Sequence, residues 1–441
     1  MASVPDPART HGQLATSPQA GRRLGRLRVA VDARLHPGEA GGVESVTVVL
    51  VKGLSALEDS DEEYLVLTVA GEDDWISEYA NGPVRIVPTK KVRSDRLFKQ
   101  RVAAAAPWLA SAWRRRPLRR VSAGPPPSDG TIERAKVDVV HFVNQPGGFL
   151  TRVPSVYHPH DLQHLHFPEF FTREEWQWRE LWYRRLCTQA AMVSVASSWT
   201  KRDVLAQYAL PEEKVRVVPL APPTGAYARP TASEFAETVR RLDLPEGYVF
   251  YPAQTWPHKN HLALIEALAV LRERRGLLIP LVVSGRQTEH VAAIKSRADQ
   301  LGIGSQVRWL GFVSTSDLQV LYANARAVLI PSLFEAASAP MWEAFLAGVP
   351  VACSNVTALP EQAGDAALVF DPHDLDEFAD AIYRVLTDND LRKRLTVAGT
   401  RRVATFTWDR TARLFRAHYR RIGGRVLASE DEQLLQTPPA L

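Results

Sequence analysis

The sequence predicts an α/β protein that consists of two doubly wound, Rossmann-like domains. A β-branched run at 27–33 is followed by a glycine-containing loop at 37–42 and a helical stretch at 43–57. This order of strand, glycine loop and helix opens doubly wound domains. Short apolar strands then alternate with helices along most of the chain. The 441 residues fit two such halves of about 200 residues each, with the surplus in two tails and one insertion.

The composition is typical of a globular enzyme and excludes several other classes of protein. Hydrophobic residues make up 45% and charged residues 23% of the chain, which is unlike a disordered protein. The net charge of +5, from 54 basic and 49 acidic residues, is too small on such a long chain to indicate a nucleic-acid partner. Two cysteines exclude a disulfide framework and a zinc site built from several thiolates. We find no apolar run of about 20 residues and no secretory signal, so we expect a cytoplasmic protein.

The N-terminal domain is predicted to span 27–225, after a disordered tail at 1–26 that is rich in Pro, Ala, Arg and Ser. Its further strands are predicted at 64–69, 84–87, 137–143, 155–157, 191–195 and 215–218, and its further helices at 173–189 and 198–208. An insertion at about 90–135 interrupts this alternation, and its part at 90–120 is basic. Two hypotheses remain open for that part. It is either a peripheral contact with an anionic membrane, where each basic residue contributes about 1 kcal/mol, or a solvated helix or loop.

The C-terminal domain is predicted to span 240–405, after a stretch near 222–245 in which the alternation weakens. Its strands are predicted at 248–252, 280–284, 307–310, 327–331, 349–353 and 367–370, and its helices at 262–274, 291–301, 317–322, 341–347 and 375–386. An amphipathic helix at about 409–421 and a polar tail at 428–441 follow. Because ligands of open α/β sheets bind at the carboxyl ends of the strands, we expect the functional site in a cleft between the two domains.

The segment 332–351 places two carboxylates beside the start of a helix. Glu335 lies in a loop after a predicted strand, and Glu343 lies in the first turn of a helix that begins near Pro340. Ser338 is a candidate N-cap, and proline is favoured at the first helical position. The free N–H groups and positive dipole end of this helix start, where Ser338, Ala339 and Pro340 lie, suit a phosphate. Since a carboxylate repels phosphate, we expect the two glutamates to accept hydrogen bonds from the paired hydroxyls of a ribose or sugar.

A second loop, at 251–261, contains Gln254 and Lys259 and lies between a predicted strand and a helix. From the residues alone, Lys259 is either an exposed surface lysine or a cation that binds an anionic ligand such as a diphosphate, because a fixed ammonium group stabilises negative charge. Gln254 can donate hydrogen bonds to the same group but carries no charge.

Two shorter segments complete the candidate site. Gly41 and Gly42 lie in the first glycine loop, which by itself indicates only a turn between strand and helix. His160 and Asp161 belong to a histidine-rich segment at 158–166. The irregular spacing of these histidines and the absence of a distant acidic partner argue against a metal site. From the residues alone, His160 is either a cleft residue or a core-packed one.

The pattern Glu-x7-Glu followed by Gly-x-Pro-Val, within 335–351, resembles the nucleotide-sugar signature of glycosyltransferase family 4. Members of that family are retaining enzymes with the two-domain GT-B fold. The resemblance implies that Glu343 binds the hydroxyls of the donor ribose and that Glu335 lies near the anomeric carbon of the donor sugar. At 336–338 this chain has Ala-Ala-Ser where the family usually has Gly-Phe-Gly or similar. Ser-x-Pro at 338–340 is a variant that the family also has.

The second loop and the histidine segment resemble the same family. The second loop is similar to Gly-Arg-x5-Lys, in which both cations contact the diphosphate. Lys259 is kept, and Gln254 stands where arginine is common. His160 matches the histidine of a His-Asp-Leu sequence, which implies a hydrogen bond to a hydroxyl of the donor sugar. Asp161 is then expected to orient the imidazole ring.

The resemblance covers most of 27–421 and is strongest after 248. Gly41 and Gly42 match the loop that closes over the donor phosphates and shapes the acceptor site. The helix predicted within 406–425 matches a terminal family helix that crosses back to the N-terminal domain. The basic insertion has no counterpart.

These features predict a retaining hexosyltransferase of polysaccharide biosynthesis. It would move mannose or another hexose from a GDP- or UDP-linked donor to a hydroxyl of a glycan or lipid-linked acceptor, in the cytoplasm or peripherally at a membrane surface. We expect no cofactor and no metal, because each Asp-x-Asp pair lies at a predicted helix boundary, where capping explains it. Two alternatives remain open: a non-catalytic nucleotide-sugar-binding partner subunit, and an epimerase or phosphorylase with the GT-B fold.

Overall fold

The computed structural model describes residues 25–36, 42–59, 61–89, 124–226 and 228–437. Within these ranges the chain forms two α/β domains, each with a parallel sheet between two layers of helices. This confirms the predicted fold class. The predictions made for 1–24, for Gly41 and for the basic stretch 90–120 lie outside the described residues.

The described strands of the N-terminal domain form a seven-stranded, wholly parallel sheet. They are β1 (Leu27–Asp32), β2 (Glu62–Val69), β3 (Val84–Thr89), β4 (Val139–Phe142), β5 (Ser155–Tyr157), β6 (Met192–Val195) and β7 (Val215–Val217). Their order is β3-β2-β1-β4-β5-β6-β7. The chain therefore reverses direction across the sheet between β1 and β4, and such a reversal opens a crevice at the carboxyl ends of the strands.

The helices of this domain cover both faces of its sheet. They are α1 (Gly42–Ser55), α2 (Asp74–Ser77), α3 (Thr131–Arg134), α4 (Gln163–His166), α5 (Arg173–Gln189) and α6 (Ser198–Tyr208). Apolar residues of α1 fill the core on one face, and those of α5 and α6 fill it on the other. Three 3₁₀ turns lie at Pro168–Phe170, Glu212–Lys214 and Pro223–Ala226.

The C-terminal domain repeats the plan with a six-stranded parallel sheet in its described residues. Its strands are β8 (Val249–Pro252), β9 (Leu281–Ser284), β10 (Val307–Gly311), β11 (Ala327–Ile330), β12 (Val351–Ser354) and β13 (Ala367–Phe370). Its helices are α7 (Ala232–Arg241), α8 (His261–Arg275), α9 (Val291–Gln300), α10 (Thr315–Asn324), α11 (Ala339–Leu346), α12 (Leu359–Ala363), α13 (Leu375–Thr387) and α14 (Asn389–Val403). The order β10-β9-β8-β11-β12-β13 places the reversal between β8 and β11. In the described ranges, no helix of either domain is long and apolar enough to span a bilayer.

Besides short helices of four or five residues, the described structure contains three longer helices that the apolar pattern did not predict. Helix α7 lies in the stretch where the alternation weakens, and it begins with a capping box between Thr231 and Glu234. Helix α14 begins at a cap made by the Asp388 side chain. The third, α16 (Ser429–Gln436), lies in the segment that we predicted as a polar tail. That prediction is wrong for these residues, because the guanidinium of Arg420 holds α16 through an ion pair of 2.9 Å to the buried Asp431.

The last long helix, α15 (Trp408–Ile422), follows the C-terminal domain in sequence but packs in the N-terminal core. Phe415 and Tyr419 are fully buried there among residues of β1, β2 and β4. The hydroxyl of Tyr419 lies 2.7 Å from Nδ1 of His141, and the ring of Phe415 lies 4.9 Å from the same imidazole. Gly53 on α1 permits α1 and α15 to approach closely, because a Cβ at this position would lie 3.0 Å from the Trp408 carbonyl oxygen. The C-terminal helix is therefore part of the core that supports β1 and β4.

We expect Phe415→Ala to destabilise the N-terminal domain. Removing a buried phenyl group leaves a cavity and costs about 3–5 kcal/mol, so the free energy of unfolding in urea should fall by that amount. Val426→Ala is the control, because Val426 is exposed and its truncation should change stability by less than about 0.5 kcal/mol. Equal stabilities of the two variants would contradict the packing assigned to α15.

Candidate active site

A cavity of about 290 Å³ lies between the two domains, at the carboxyl ends of both sheets. Among the residues that line it are six of the predicted site residues: Gly42, His160, Asp161, Lys259, Glu335 and Ala339. The first three come from the N-terminal domain and the others from the C-terminal domain. The structure therefore brings together residues that are about 300 positions apart in the sequence.

Lys259 and Glu335 form an ion pair at the base of this cavity. The ammonium nitrogen of Lys259 lies 2.5 Å from Oε1 of Glu335, and both side chains are largely shielded from solvent. The hydroxyl of Ser332 donates a second hydrogen bond, of 2.8 Å, to the same oxygen. Tyr251 supports both partners, because its hydroxyl donates to the Lys259 carbonyl at 2.8 Å and lies 3.1 Å from the Ser332 hydroxyl. The end of β8 and the loop after β11 are joined by this network.

Thr357 holds the backbone of Glu335 from the following strand-to-helix connection. The backbone N–H of Glu335 donates to the Thr357 hydroxyl at 2.9 Å, and that hydroxyl donates to the Glu335 carbonyl at 2.7 Å. Thr357 has φ = +51°, which is strained for a β-branched residue. A strained backbone conformation persists only where surrounding contacts hold it in place, and such residues cluster at functional sites. Neither Ser332 nor Thr357 carries a signal that sequence reasoning could have used.

The start of α11 differs in detail from the prediction. Ser338 occupies the N-cap position, but its hydroxyl caps no N–H group and is buried without a hydrogen-bond partner in the described structure. The side chain of Gln362 holds the peptide instead: it accepts from the Ser338 N–H at 2.7 Å and donates to the Ser338 carbonyl at 2.6 Å. Pro340 is the second residue of the helix, after Ala339. The helix N-terminus still faces the cavity through Ala339.

Glu343 lies outside the cavity that contains Glu335. It lines a neighbouring cavity of about 270 Å³, between α10, α11 and the segment that joins the domains. The hydroxyl of Tyr322 donates to Oε2 of Glu343 at 2.7 Å, and Thr224 donates through its backbone N–H and its hydroxyl. Burial raises the pKa of Glu343 to about 7, although these hydrogen bonds oppose the shift. The sequence offered no indication of Tyr322 or Thr224 as partners.

His160 lies in the cavity wall with its ring fixed by the backbone. Its Nε2 lies 2.8 Å from the Val143 carbonyl oxygen, and its ring stacks on that of His158 at 4.1 Å. Burial lowers the pKa of His160, so the ring is neutral at pH 7. Because a carbonyl only accepts, Nε2 carries the proton and Nδ1 keeps a lone pair.

The expected role of Asp161 differs from what the structure contains. The Asp161 carboxylate accepts from the backbone N–H of Gln163, the first residue of α4, at 3.0 Å. Val143, not Asp161, therefore makes the hydrogen bond that orients the His160 ring. His160 itself has φ = +58°, a conformation that places its side chain back over the end of β4.

Gln254 lies beside the cavity, in the loop after β8. Its Oε1 accepts from Nε1 of the exposed Trp256 at 3.0 Å. Gln254 is not among the residues that line the cavity around Lys259. In this structure the side-chain oxygen of Gln254 is thus hydrogen-bonded within its own loop.

Direct contacts across the cleft hold the two domains together on one side of the cavity. The carboxylate of Glu361, on α12, accepts from the backbone N–H groups of Ser198 and Trp199 at 2.6 and 2.8 Å. It therefore caps helix α6 of the opposite domain, where negative charge complements the helix dipole. The hydroxyls of Ser197 and Thr200 both donate to the Ala336 carbonyl, at 2.7 and 3.2 Å.

An aromatic cluster closes the same side of the cleft. The ring of Phe334 lies 5.3 to 6.1 Å from the rings of His166, Phe167 and Trp199 of the N-terminal domain. Asp203 hydrogen-bonds His166 at 2.8 Å and raises the pKa of its imidazole. The loop that contains Glu335 is thus anchored to both domains.

Within the described residues, no group of His, Cys, Asp and Glu side chains is arranged to hold a metal ion. Two of the three Asp-x-Asp pairs are explained by capping, because Asp374 and Asp388 cap α13 and α14. The third differs from the expectation. Asp59 follows α1 and pairs with the buried Arg416 of α15 at 2.9 Å.

Comparison with known proteins shows that each domain matches a glycosyltransferase family model. Residues 40–221 match the family model described as Glycosyltransferase Family 4, and residues 234–402 match the model described as Glycosyl transferases group 1. The chain belongs to glycosyltransferase family 4. The boundary between the two matched segments falls in the segment before α7, where the alternation of strands and helices weakens.

Several relatives and structures are similar to this family 4 member. It is 29% identical over 251 residues to O-antigen chain mannosyltransferase B of Escherichia coli, a match that covers 57% of this chain and 66% of the relative. It is 29% identical over 249 residues to MMP alpha-(1->4)-mannosyltransferase of Mycolicibacterium hassiacum, covering 56% of this chain and 57% of the relative. The match thus spans less than two thirds of either relative. Anabaena Alr3699/HepE, in complex with UDP and glucose, shares the fold, with a TM-score of 0.63, 18% identity and coverage of 89% of this chain and 99% of that one.

The buried carboxyl of Glu343 should make stability depend on pH. Its pKa is about 7 in the folded protein against an ordinary value of 4.5, so folding favours the protonated form. The resulting stabilisation is complete below pH 4.5 and is lost as the pH rises through 7, by a total of about 3 kcal/mol. Urea unfolding at pH 5 and pH 8 should show most of this loss in the wild-type protein and not in Glu343→Gln. Parallel pH dependences of the two proteins would contradict it.

Proposed function

We propose that this protein transfers a sugar from a nucleotide-diphosphate sugar to a hydroxyl group, with retention of the anomeric configuration. The observation that supports this best is the Lys259–Glu335 pair beside the N-terminus of α11, inside a cavity between two glycosyltransferase domains. A cation and free helix N–H groups suit a diphosphate. A carboxylate 2.5 Å from that cation suits sugar hydroxyls.

The donor diphosphate would lie between the Lys259 ammonium and the start of α11, with its ribose directed to Glu343. Negative charge grows on the diphosphate as the bond to the anomeric carbon breaks. A fixed ammonium group in a water-poor cavity stabilises that charge more than it stabilises the ground state. The sugar would then lie against Glu335, which accepts hydrogen bonds from its hydroxyls.

His160 and the N-terminal domain would position the sugar and the acceptor. The lone pair on Nδ1 of the neutral His160 ring accepts a hydrogen bond from a sugar hydroxyl. Gly42 and the start of α1 line the acceptor side of the cavity. The names of the mannosyltransferase relatives support mannose as the transferred sugar. We propose a GDP- or UDP-linked donor and a glycan or lipid-linked acceptor.

Front-face substitution fits the cavity better than a covalent intermediate. Oε1 of Glu335 accepts from Lys259 and Ser332, and Oδ1 of Asp161 accepts from the backbone of Gln163, and these bonds lower the nucleophilicity of both carboxylates. In the proposed step, the bond from that carbon to the phosphate oxygen breaks with its electron pair on the phosphate. The acceptor oxygen bonds to the carbon from the same face, and its proton passes to the departing phosphate.

The direct test measures nucleotide binding and release. Thermal shifts are recorded with GDP, UDP, GDP-mannose and UDP-glucose, since a bound donor raises the melting temperature by mass action. With the stabilising donor and a panel of glycan and lipid-linked acceptors, we expect one equivalent of nucleoside diphosphate per glycosidic bond formed. Donor binding without product would support the non-catalytic subunit. Product without acceptor would support an epimerase, and product that requires inorganic phosphate would support a phosphorylase.

Removing the ammonium of Lys259 should slow the chemical step. We expect Lys259→Gln to lower kcat by about 10²–10³-fold, as the loss of a group that stabilises transition-state charge does. Lys393→Gln, at an exposed position on α14, is the matched control and should leave kcat unchanged. Equal rates for both variants, or a glycosyl adduct on Glu335 in the mass spectrum of the enzyme stopped during turnover, would contradict the mechanism.

A further inference from the structure

The cavity between the domains contains too little positive charge for a diphosphate. In the described part of the chain, the acidic and basic residues that line it are Asp161, Glu335 and Lys259. Two carboxylates and one ammonium leave one net negative charge. The ammonium is moreover already paired with Glu335 at 2.5 Å. A diphosphate adds further negative charge, which is costly in a partly desolvated site unless a second cation compensates it.

The histidines of the cavity do not supply that cation. Burial and the neighbouring Lys259 lower the pKa of His258 to about 2. Burial also lowers the pKa of His158 and His160, which stack on each other. All three imidazoles are neutral at pH 7.

Arg286 lies at the same edge of the C-terminal sheet, directly after β9. Strand β9 pairs with β8, so the two following loops are neighbours. The backbone N–H of Thr255 donates to the Arg286 carbonyl at 3.2 Å. Thr288 fixes the contact, because its N–H and its hydroxyl each bond to Thr255 at 2.7 Å. The backbone of Arg286 is therefore held beside the loop that leads to Lys259.

Gly285 allows this close approach. Its φ is +121°, and a Cβ there would lie 2.8 Å from the carbonyl carbon of Ala253 and 2.9 Å from the backbone nitrogen of Gln254. Only glycine accepts both conditions. Arg286 therefore follows a residue that packs directly against the backbone of the uncharged Gln254.

The guanidinium of Arg286 is exposed, and no carboxylate of the described chain lies within ion-pair distance of it. Other arginines of this domain are paired: Arg274 with Asp376, Arg297 with Glu266 and Arg308 with Asp243. Arg286 is thus an unpaired cation whose backbone is held beside the loop that leads to Lys259.

We propose that Arg286 binds the diphosphate of the donor as the second cation beside Lys259. This rests on the proposed function. A guanidinium suits the task because it stays charged and bonds two phosphate oxygens at once. Neighbouring strands lie about 4.8 Å apart, so an arginine side chain that follows β9 is long enough to span the loop after β8.

Binding measurements test this without requiring turnover. Calorimetric titrations with GDP, UDP and inorganic pyrophosphate, and with guanosine and uridine, are compared for wild-type protein, Arg286→Gln and Arg394→Gln. Arg394 is exposed on α14, so its variant loses the same charge elsewhere. We expect Arg286→Gln to lower the affinity for the diphosphates about tenfold or more and to leave nucleoside affinity unchanged. Arg394→Gln should change neither.

A second variant separates charge from structure. The double variant Arg286→Gln, Gln254→Arg places the guanidinium on the neighbouring loop, after β8 instead of β9. It should restore diphosphate affinity. If Arg286→Gln lost affinity because the loop was distorted, the added arginine would not restore it. Equal affinities in Arg286→Gln and Arg394→Gln would overturn the proposal and leave sugar transfer standing. Arg179, on α5, lies close enough to the cavity residue His258 to lower the pKa of its imidazole. A loss of diphosphate affinity in Arg179→Gln but not in Arg286→Gln would also overturn the proposal, because the second cation would then come from across the cleft. If the wild-type protein bound none of these phosphates, both the proposal and the proposed function would fail.

Discussion

The ion pair between Lys259 and Glu335 is the contact on which the arrangement of the site depends. It joins the loop after β8 to the loop after β11, the two strands between which the chain reverses across the C-terminal sheet. A buried pair of this kind is costly to desolvate and requires further hydrogen bonds to be tolerated. Ser332 donates such a bond to the Glu335 carboxylate, and Tyr251 and Thr357 hold the backbones of Lys259 and Glu335. The pair is therefore held in place before any ligand arrives.

The same loop also connects the two domains. Ala336 and Phe334, next to Glu335, contact Ser197 and Trp199 of the N-terminal domain. Glu361 caps α6 across the cleft, and α15 returns the chain to the N-terminal core. Because the cleft is spanned by these contacts, the cavity has a defined shape with residues of both domains in its wall. A ligand that entered it would contact both domains at once.

Burial sets the charge state of most titratable groups around the cleft. It keeps His158, His160 and His258 neutral and raises the pKa of Glu343 to about 7. The cleft is therefore lined by neutral imidazole rings together with a few charged side chains. Because so few cations are present, the affinity of the site for an anionic ligand depends on where each of them lies. An unpaired arginine close to the Lys259 loop would therefore add to that affinity.

The sequence by itself determined the two-domain α/β fold, most of its strands, and the residues Gly42, His160, Lys259 and Glu335 that meet in the cavity. It could do so because strands follow apolar periodicity, and because the carboxyl ends of parallel strands converge. Only the tertiary structure decided that Glu343 bonds to Tyr322 and Thr224, that Val143 orients His160, and that α16 packs on α15. These contacts join residues far apart in sequence, and no local pattern records which buried polar groups will meet when two domains close.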